Sequence, residues 1–345
     1  MKKIPENIII SRTDSIGDMI LALPAAKILK DRFPGIKVAF MGRQYVRAVV
    51  EACIYADAFI DVEDFLSKEI FIDNKAPQAI VHLNTNKLNA QRASDIHILL
   101  RTGVAGRLYH WHTCNRLVWM HRKNSSLHEA QLNLKLLSPL GIKKIFSYEE
   151  ITASYGLSKP EKLLPEYSSL ISNNKYNIIL HPKSQGNARE WPMQHFTALA
   201  EMLDTDRYNI FISGTANERK FIEPLFQKLG NKVTDLTGRI NLGQFISFIN
   251  HCDSVVTNST GPLHLAAALG KDAIGIYPPL RPKHAGRWGP IGAKAKVFEL
   301  SKNCSDCRND KNNCACMNAI EPLSIKLFMD QLVKEKAFVL QQRQI

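Results

Sequence analysis

The chain has 345 residues, more than one hydrophobic core usually organises, so two domains are expected. Apolar residues make up 45% and charged residues 22%, as in an ordinary globular protein, and no apolar run approaches the roughly 18 residues of a membrane span. The formal charge of +13 is spread out, with 21 Lys and Arg against 15 Asp and Glu in residues 1–150 and 24 against 17 in 151–345, which excludes a basic tail.

Pro5, Glu6, Asn7, Arg12, Asp14 and Asp18 leave no apolar core for a secretory signal, so a cytoplasmic location is expected. Asn7 to Ser11 (NIIIS) reads as a buried strand, followed by the turn Arg12-Thr13-Asp14-Ser15-Ile16-Gly17-Asp18. Met19 to Leu29 is apolar and helical, with Pro24 marking a kink or restart. Further strands are expected at Lys37–Met41, Phe59–Val62, Ala79–Leu83 and Ala105–Tyr109, with helical patterns between most of them. The stretch from Lys87 to Lys123 holds Arg92, Arg101, Arg107, Arg116 and Arg122, with Asp95 its one acid. Its Tyr109, Trp111 and Trp119 lie among four histidines, a composition suited to an anionic membrane face or a phosphorylated acceptor. No nucleic-acid module accompanies it, so nucleic acid is not expected as a partner.

Residues around Leu127–Leu140 are helical and stop at Gly141. Tyr148 to Asn174, rich in Ser, Pro, Lys and Glu, reads as the interdomain connection. The strand–helix alternation then restarts, with strands at Tyr176–Leu180, Tyr208–Ser213, Val233–Leu236, Ser254–Thr257 and Ala273–Tyr277 and a last helix at Ser324–Gln342. Two such α/β halves carry parallel sheets that bind ligands at the carboxyl ends of their strands. The boundaries expected are 1–155, a linker at 156–174, 175–323, and a C-terminal helix at 324–345.

The chain is organised around Val256 to Leu269 (VTNSTGPLHLAAAL), a strand end, a polar turn and an apolar helix opened by Pro262. Hydroxyls and N–H groups at such a helix N-terminus form an anion site, unless Ser259 and Thr260 merely cap it. Cys304, Cys307, Cys314 and Cys316 are spaced C-x2-C-x6-C-x-C, an awkward set for zinc, and no metal is assigned to them. Asp204-Thr205-Asp206 follows a helix rather than a strand and reads as a loop.

Four stretches resemble glycosyltransferase family 9, the ADP-heptose:lipopolysaccharide heptosyltransferases: RTDSIGDMILALPAAKILKDRFP, HPKSQGNAREWPMQHFTALAEML, LTGRINLGQFISFINHCDSVVTNSTGPLHLAAALGKDAIGIYPP and CACMNAIEP. They occur in the family's order across about residues 7–325. The resemblance implies a GT-B fold, two Rossmann-like doubly wound domains facing a cleft, the first binding the acceptor and the second the nucleotide sugar. It implies inverting transfer with no cofactor and no tightly bound metal. It also implies Asp18 as the catalytic base, which takes the proton of an acceptor hydroxyl. Asp14 is the nearby rival and is assigned to the acceptor side with Arg101, Arg107 and Arg116. Donor binding falls to Lys183, Arg189, Glu218, Ser259, Thr260, Gly261 and His264, with cations and N–H donors meeting the leaving diphosphate.

The chain departs from the family pattern twice. Arg189 stands where the family has lysine, exchanging a point donor for a planar fork. Ser259 replaces the Asp of Asn-Asp-Thr-Gly-Pro, so a charged contact to the donor becomes a hydroxyl. The expected partners are a nucleotide-diphosphate donor, by default ADP-heptose, and a lipopolysaccharide core or other glycolipid acceptor, with peripheral contact at the inner membrane. A nucleotide-sugar hydrolase or epimerase, and a catalytically silent nucleotide-binding homologue, are the alternatives.

Overall fold

Strand β1 (Asn7–Ser11) is buried along its whole length, and Ile8, Ile9 and Ile10 have no solvent exposure. Side chains of a strand alternate between faces, so a continuous apolar run belongs to a sheet covered on both sides. The computed structural model, which describes residues 4–186, 188–301, 304 and 314–342, places β1 at the centre of such a sheet. The chain divides into two compact units, Met1–Glu161 with Ile291–Ala293, and Lys162–Pro290 with Lys294–Ile345.

In the first unit β1 is joined by β2 (Lys37–Gly42), β3 (Ala58–Asp61), β4 (Ala79–His82), β5 (Leu100–Val104) and β6 (Arg116–Val118), in the order β3-β2-β1-β4-β5-β6. Every pairing is parallel. One face packs Ile9, Met41, Ile60 and Ile80 against Phe65, Ala93 and Ile98, a core in which each buried isoleucine contributes about 1.5–3 kcal/mol.

The second unit repeats the plan with β7 (Tyr176–His181), β8 (Tyr208–Ile212), β9 (Thr234–Asp235), β10 (Ser254–Asn258), β11 (Asp272–Tyr277) and β12 (Ala295–Glu299), ordered β12-β11-β10-β7-β8-β9 and again all parallel. The helix Gly261–Ala268, apolar nearly all round, is buried at Leu263, His264, Leu265, Ala266 and Ala267. The architecture is therefore α/β with two doubly wound parallel sheets of the GT-B type.

Several elements depart from the sequence expectation. The fifth strand is Leu100–Val104, whereas Ala105–Tyr109 is a turn at Ala105 and Gly106 followed by the start of the helix Leu108–Thr113. Gly103 sits in that strand because a Cβ there would meet His110 Nδ1 at 2.7 Å and Cys114 Sγ at 2.8 Å, so the helix closes directly on the backbone. Strands β6 and β12 lie at sheet edges, where half-exposed sequences carry little apolar signal. The helix around Leu127–Leu140 contracts to Glu129–Lys135, followed by a 3-10 turn that ends at Gly141 with φ 87°.

The stretch read as a linker is anchored. Leu157 bridges Cys53, Leu163 is buried, and Pro165–Ser168 is helical. The C-terminal helix, Pro322–Gln342, places Ile325 and Met329 in the second unit's core and is no separate element. Cys314 and Cys316 are buried in that same core and Cys304 packs against it, while Cys307 lies outside the described residues. Among the described residues no group of three or more His, Cys, Asp or Glu is placed to hold a metal ion. Also among them, no helix is long and apolar enough to cross a membrane.

Candidate active site

In the first sheet the connections from β1 and β4 leave in opposite directions, and the segments after those two strands part at the carboxyl edge. Such a switch point is where open parallel sheets bind ligands. The segment after β1 is Arg12–Asp18. Ser15 caps the five-residue helix Ile16–Ile20, and Asp18 completes a capping box. Asp18 Oδ2 accepts from the Ser15 hydroxyl at 2.7 Å and from the Ser15 N–H at 3.3 Å. Its Oδ1 pairs with the Arg12 guanidinium. The same carboxylate thus serves the cap and carries the charge. Burial pushes the Asp18 pKa up, but Arg12 and the Ser15 hydrogen bonds outweigh it and hold the group below the usual carboxylate range.

Arg12, which the sequence reading passed over, is the hub of this edge. It is 4% exposed, and its Nε lies 3.1 Å from Asp14 Oδ2. Its Nη1 donates to Glu129 Oε1 at 3.0 Å and to Asn133 Oδ1 at 3.1 Å. Arg122 pairs with the same Glu129 and donates to the Leu83 carbonyl at 2.6 Å. Asn84, just after β4, donates to Asp14 Oδ1 at 2.8 Å. The sequence shows only that residues 96–128 contain no acid; that the acid ending this run, Glu129, is 1% exposed is a property of the fold. A buried carboxylate demands a buried cation.

The three arginines expected on the acceptor side separate. Arg101 is turned onto backbone carbonyls, donating to Thr113 at 2.7 Å and Ile98 at 2.5 Å. Arg116 donates to the Asn115 carbonyl at 2.8 Å. Arg107 is exposed at the start of the helix Leu108–Thr113. Beside it Leu108 is 85% exposed, and Trp111 and Trp119, both exposed, meet edge to face at 5.9 Å.

The second sheet has its switch point between β7 and β10. Asn258, fully buried at the end of β10, accepts from the Trp191 N–H at 2.7 Å and donates to the Pro182 carbonyl at 2.9 Å. Thr257 Oγ1 donates to the His181 carbonyl at 2.7 Å, and Thr260 Oγ1 lies 2.9 Å from it. The Thr260 hydroxyl makes no cap bond although Thr260 is the N-cap by position. The first turn, with Gly261 at its head, is left without a side-chain cap, the condition for anion binding at a helix N-terminus. Ser259 hydrogen-bonds the Tyr277 hydroxyl, which itself donates to the Trp288 carbonyl at 2.6 Å.

Lys183 pairs with Glu190 and stands 5.3 Å from the Phe221 ring centre. Glu190 also accepts from the Ser184 N–H and hydroxyl, both at 2.9 Å. Arg189 is 3% exposed, and His264 is buried in the first turn of its helix. Glu218 is buried and engaged within the protein: Oε1 accepts from the Gln185 N–H at 3.1 Å, and Oε2 from the Thr215 N–H at 2.8 Å and hydroxyl at 2.9 Å. Next to it an open hollow of about 640 Å³ is lined by Ala216, Asn217, Arg219, Lys220 and Glu223. Desolvation lowers the His181 pKa to about 4 against the opposing pull of Glu218 and Glu190, so its ring is neutral near pH 7. Asn258 was quoted within its motif but given no role, because its two bonds join segments 76 and 67 residues away.

Residues 96–318 match the family model for glycosyltransferase family 9 (heptosyltransferase). A putative glycosyltransferase of Haemophilus influenzae is 27% identical over 311 residues, covering 83% of this chain and 86% of that protein. The lipooligosaccharide heptosyltransferase 2 of the same organism is 34% identical over 119 residues, and there the match spans 33% of this chain and about a third, 34%, of the relative. Among solved structures, the ADP-heptose lipopolysaccharide heptosyltransferase II of Escherichia coli superposes with a TM-score of 0.74 at 18% identity, covering 96% of this chain and 99% of that one.

Proposed function

The chain belongs to glycosyltransferase family 9, the heptosyltransferases, and from that premise we propose that it transfers heptose from ADP-heptose to a lipopolysaccharide core acceptor with inversion. It is a glycosyltransferase; the donor, the acceptor and the stereochemistry are the proposal. The observation that carries it is Asp18, a part-buried carboxylate held ionised at the first unit's switch point. A sugar hydroxyl is too weak a nucleophile alone, and a carboxylate within reach removes its proton as attack proceeds. The acceptor oxygen forms a bond to the anomeric carbon, the bond from that carbon to the diphosphate breaks, and its electron pair leaves with ADP. The proton ends on Asp18.

The leaving charge falls to the second unit. The first turn of Gly261–Ala268 offers N–H groups and the positive end of a helix dipole to the diphosphate. Lys183, Arg189 and His264 are the cationic and imidazole side chains assigned to the donor. The hollow beside Glu218 is the place for the nucleoside. Ser259, bonded to Tyr277, acts on the sugar through the shape of the turn rather than through a charge. On the acceptor side Asp14 borders Asp18, while Arg107 and Arg116 meet anionic acceptor groups; Arg101, engaged by the Ile98 and Thr113 carbonyls, braces its own strand β5. The exposed Leu108, Trp111 and Trp119 beside Arg107 suit peripheral contact with an anionic inner-membrane face.

The test is ADP release by the purified protein with ADP-heptose and truncated lipopolysaccharide, with and without EDTA, beside Asp18→Asn. Acceptor-dependent, EDTA-resistant release that vanishes in the variant is the expected result. Release without acceptor would overturn it in favour of a hydrolase or epimerase. Nucleotide binding without turnover across a panel of acceptors would make the chain a silent homologue.

A further inference from the structure

Asp18 Oδ2 already accepts two hydrogen bonds, from the Ser15 hydroxyl and N–H, which fill its lone pairs. Among the described residues Oδ1 accepts from Arg12 alone, which leaves it one lone pair. Oδ1 is therefore the oxygen able to take a proton, and its direction is set by the guanidinium. That guanidinium is itself held from behind. Glu129 and Asn133, on one face of the helix Glu129–Lys135, each accept from Nη1, and Nη1 also lies 3.4 Å from the Leu83 carbonyl. Arg122 pairs with the same Glu129 oxygen, Oε1, so two arginines share that buried carboxylate.

Resting on the glycosyl-transfer reading of this edge, we propose that Arg12 and Glu129 are positioning residues for Asp18, fixing Oδ1 as the oxygen that receives the acceptor proton. A planar guanidinium reaches Asp14, Asp18 and Glu129 from one centre, and a lysine ammonium has no such fork. Other groups also face this carboxylate. Tyr45 donates to the Asp14 carbonyl at 2.7 Å and senses Asp14, Asp18 and Arg43, and Ser15 belongs to the same turn. Arg12 is the one cation among the described residues that pairs directly with Asp18.

The experiment titrates the Asp18 carboxyl by carbon-13 NMR, assigned by its loss in Asp18→Asn, and measures kcat and KM against pH per folded molecule. Arg12→Gln is expected to raise the Asp18 titration and the acidic limb of kcat by at least one pH unit and to lower kcat about a hundredfold, with the donor KM unchanged. Arg12→Lys should restore the titration but leave kcat about tenfold down, because charge returns without the fork. Glu129→Gln should also lower kcat about tenfold without raising the titration. An Asp18 titration in Arg12→Gln that matches the unaltered protein overturns the proposal, as does a kcat per folded molecule unchanged in all three variants. Absence of acceptor-dependent release by the unaltered protein would refute the functional reading instead, while the NMR titration would still decide whether Arg12 holds Asp18.

Discussion

The two units repeat one topology and fill its switch point with opposite chemistry. In the first, the edge beside β1 and β4 gathers three carboxylates and two arginines, Asp14, Asp18, Glu129, Arg12 and Arg122. In the second, the corresponding edge beside β7 and β10 is joined by neutral groups: Asn258 between Trp191 and Pro182, and Thr257 between His181 and Thr260. Formal charge there belongs to the part-exposed pair Lys183 and Glu190 and to the buried Arg189 and Glu218, which follow β7 and β8. The difference follows from the task each is proposed to perform. A base needs a charge present before substrate arrives, and a paired guanidinium with hydrogen bonds keeps it there against the cost of burial. An anion site needs donors without a resident anion to compete, and a helix N-terminus free of a side-chain cap supplies them.

The sharpest break of the comparison is Asp18→Asn. It removes the charged half of the site and should lower kcat by about a thousandfold, as expected for a lost general base, with nucleotide affinity unchanged by calorimetry. Asn258→Ala acts on the neutral half. It leaves the Trp191 N–H and the Pro182 carbonyl buried without this partner and should cost about 2–4 kcal/mol in urea unfolding, together with donor affinity.

Acid separates the halves by their histidines. Burial lowers His82 in the first unit to about 3, with His110 and Arg101 adding to it, and lowers His181 in the second to about 4. Both folded values lie below the unfolded value of about 6.5, so the unfolded chain binds more protons in between. Stability should therefore fall as pH drops from 6.5 towards 3, by up to about 1.4 kcal/mol per pH unit for each histidine while it stays neutral. His82→Gln should flatten that slope in unfolding curves collected at a series of pH values. Asp18 acts in the same sense at lower pH: its contribution is present above the unfolded carboxylate value and is lost as pH falls through its lowered folded one. The smallest effect expected is that of Thr260→Val, which removes one partly exposed hydroxyl bond. About 1 kcal/mol of stability and a severalfold loss of nucleotide affinity should appear in denaturation and calorimetry.

The buried strands were legible because an unbroken β-branched run such as NIIIS has no other comfortable place. The edge strands β6 and β12 were not, because RLV and AKVFE are half exposed and owe their state to the neighbouring strand. Leu100–Val104 was displaced in the reading by a glycine that weakens a strand pattern, yet Gly103 is there so that His110 and Cys114 can close on it. Asp18 and the Val256–Leu269 turn were found from local residue types. Arg12 was quoted within its motif and passed over, since nothing local distinguishes it from a surface arginine beside two acids.

By itself the sequence determined the α/β class, the repeated plan, the family and the two polar turns, since each rests on periodicity or on residues a few positions apart. Only the tertiary structure decided which charges meet. Arg12 finds Glu129 across 117 residues and Asn258 finds Pro182 across 76, while Arg101 turns from the expected acceptor to nearby carbonyls. A buried charge or amide must be satisfied wherever the folded chain brings a partner, and sequence spacing does not reveal where that is.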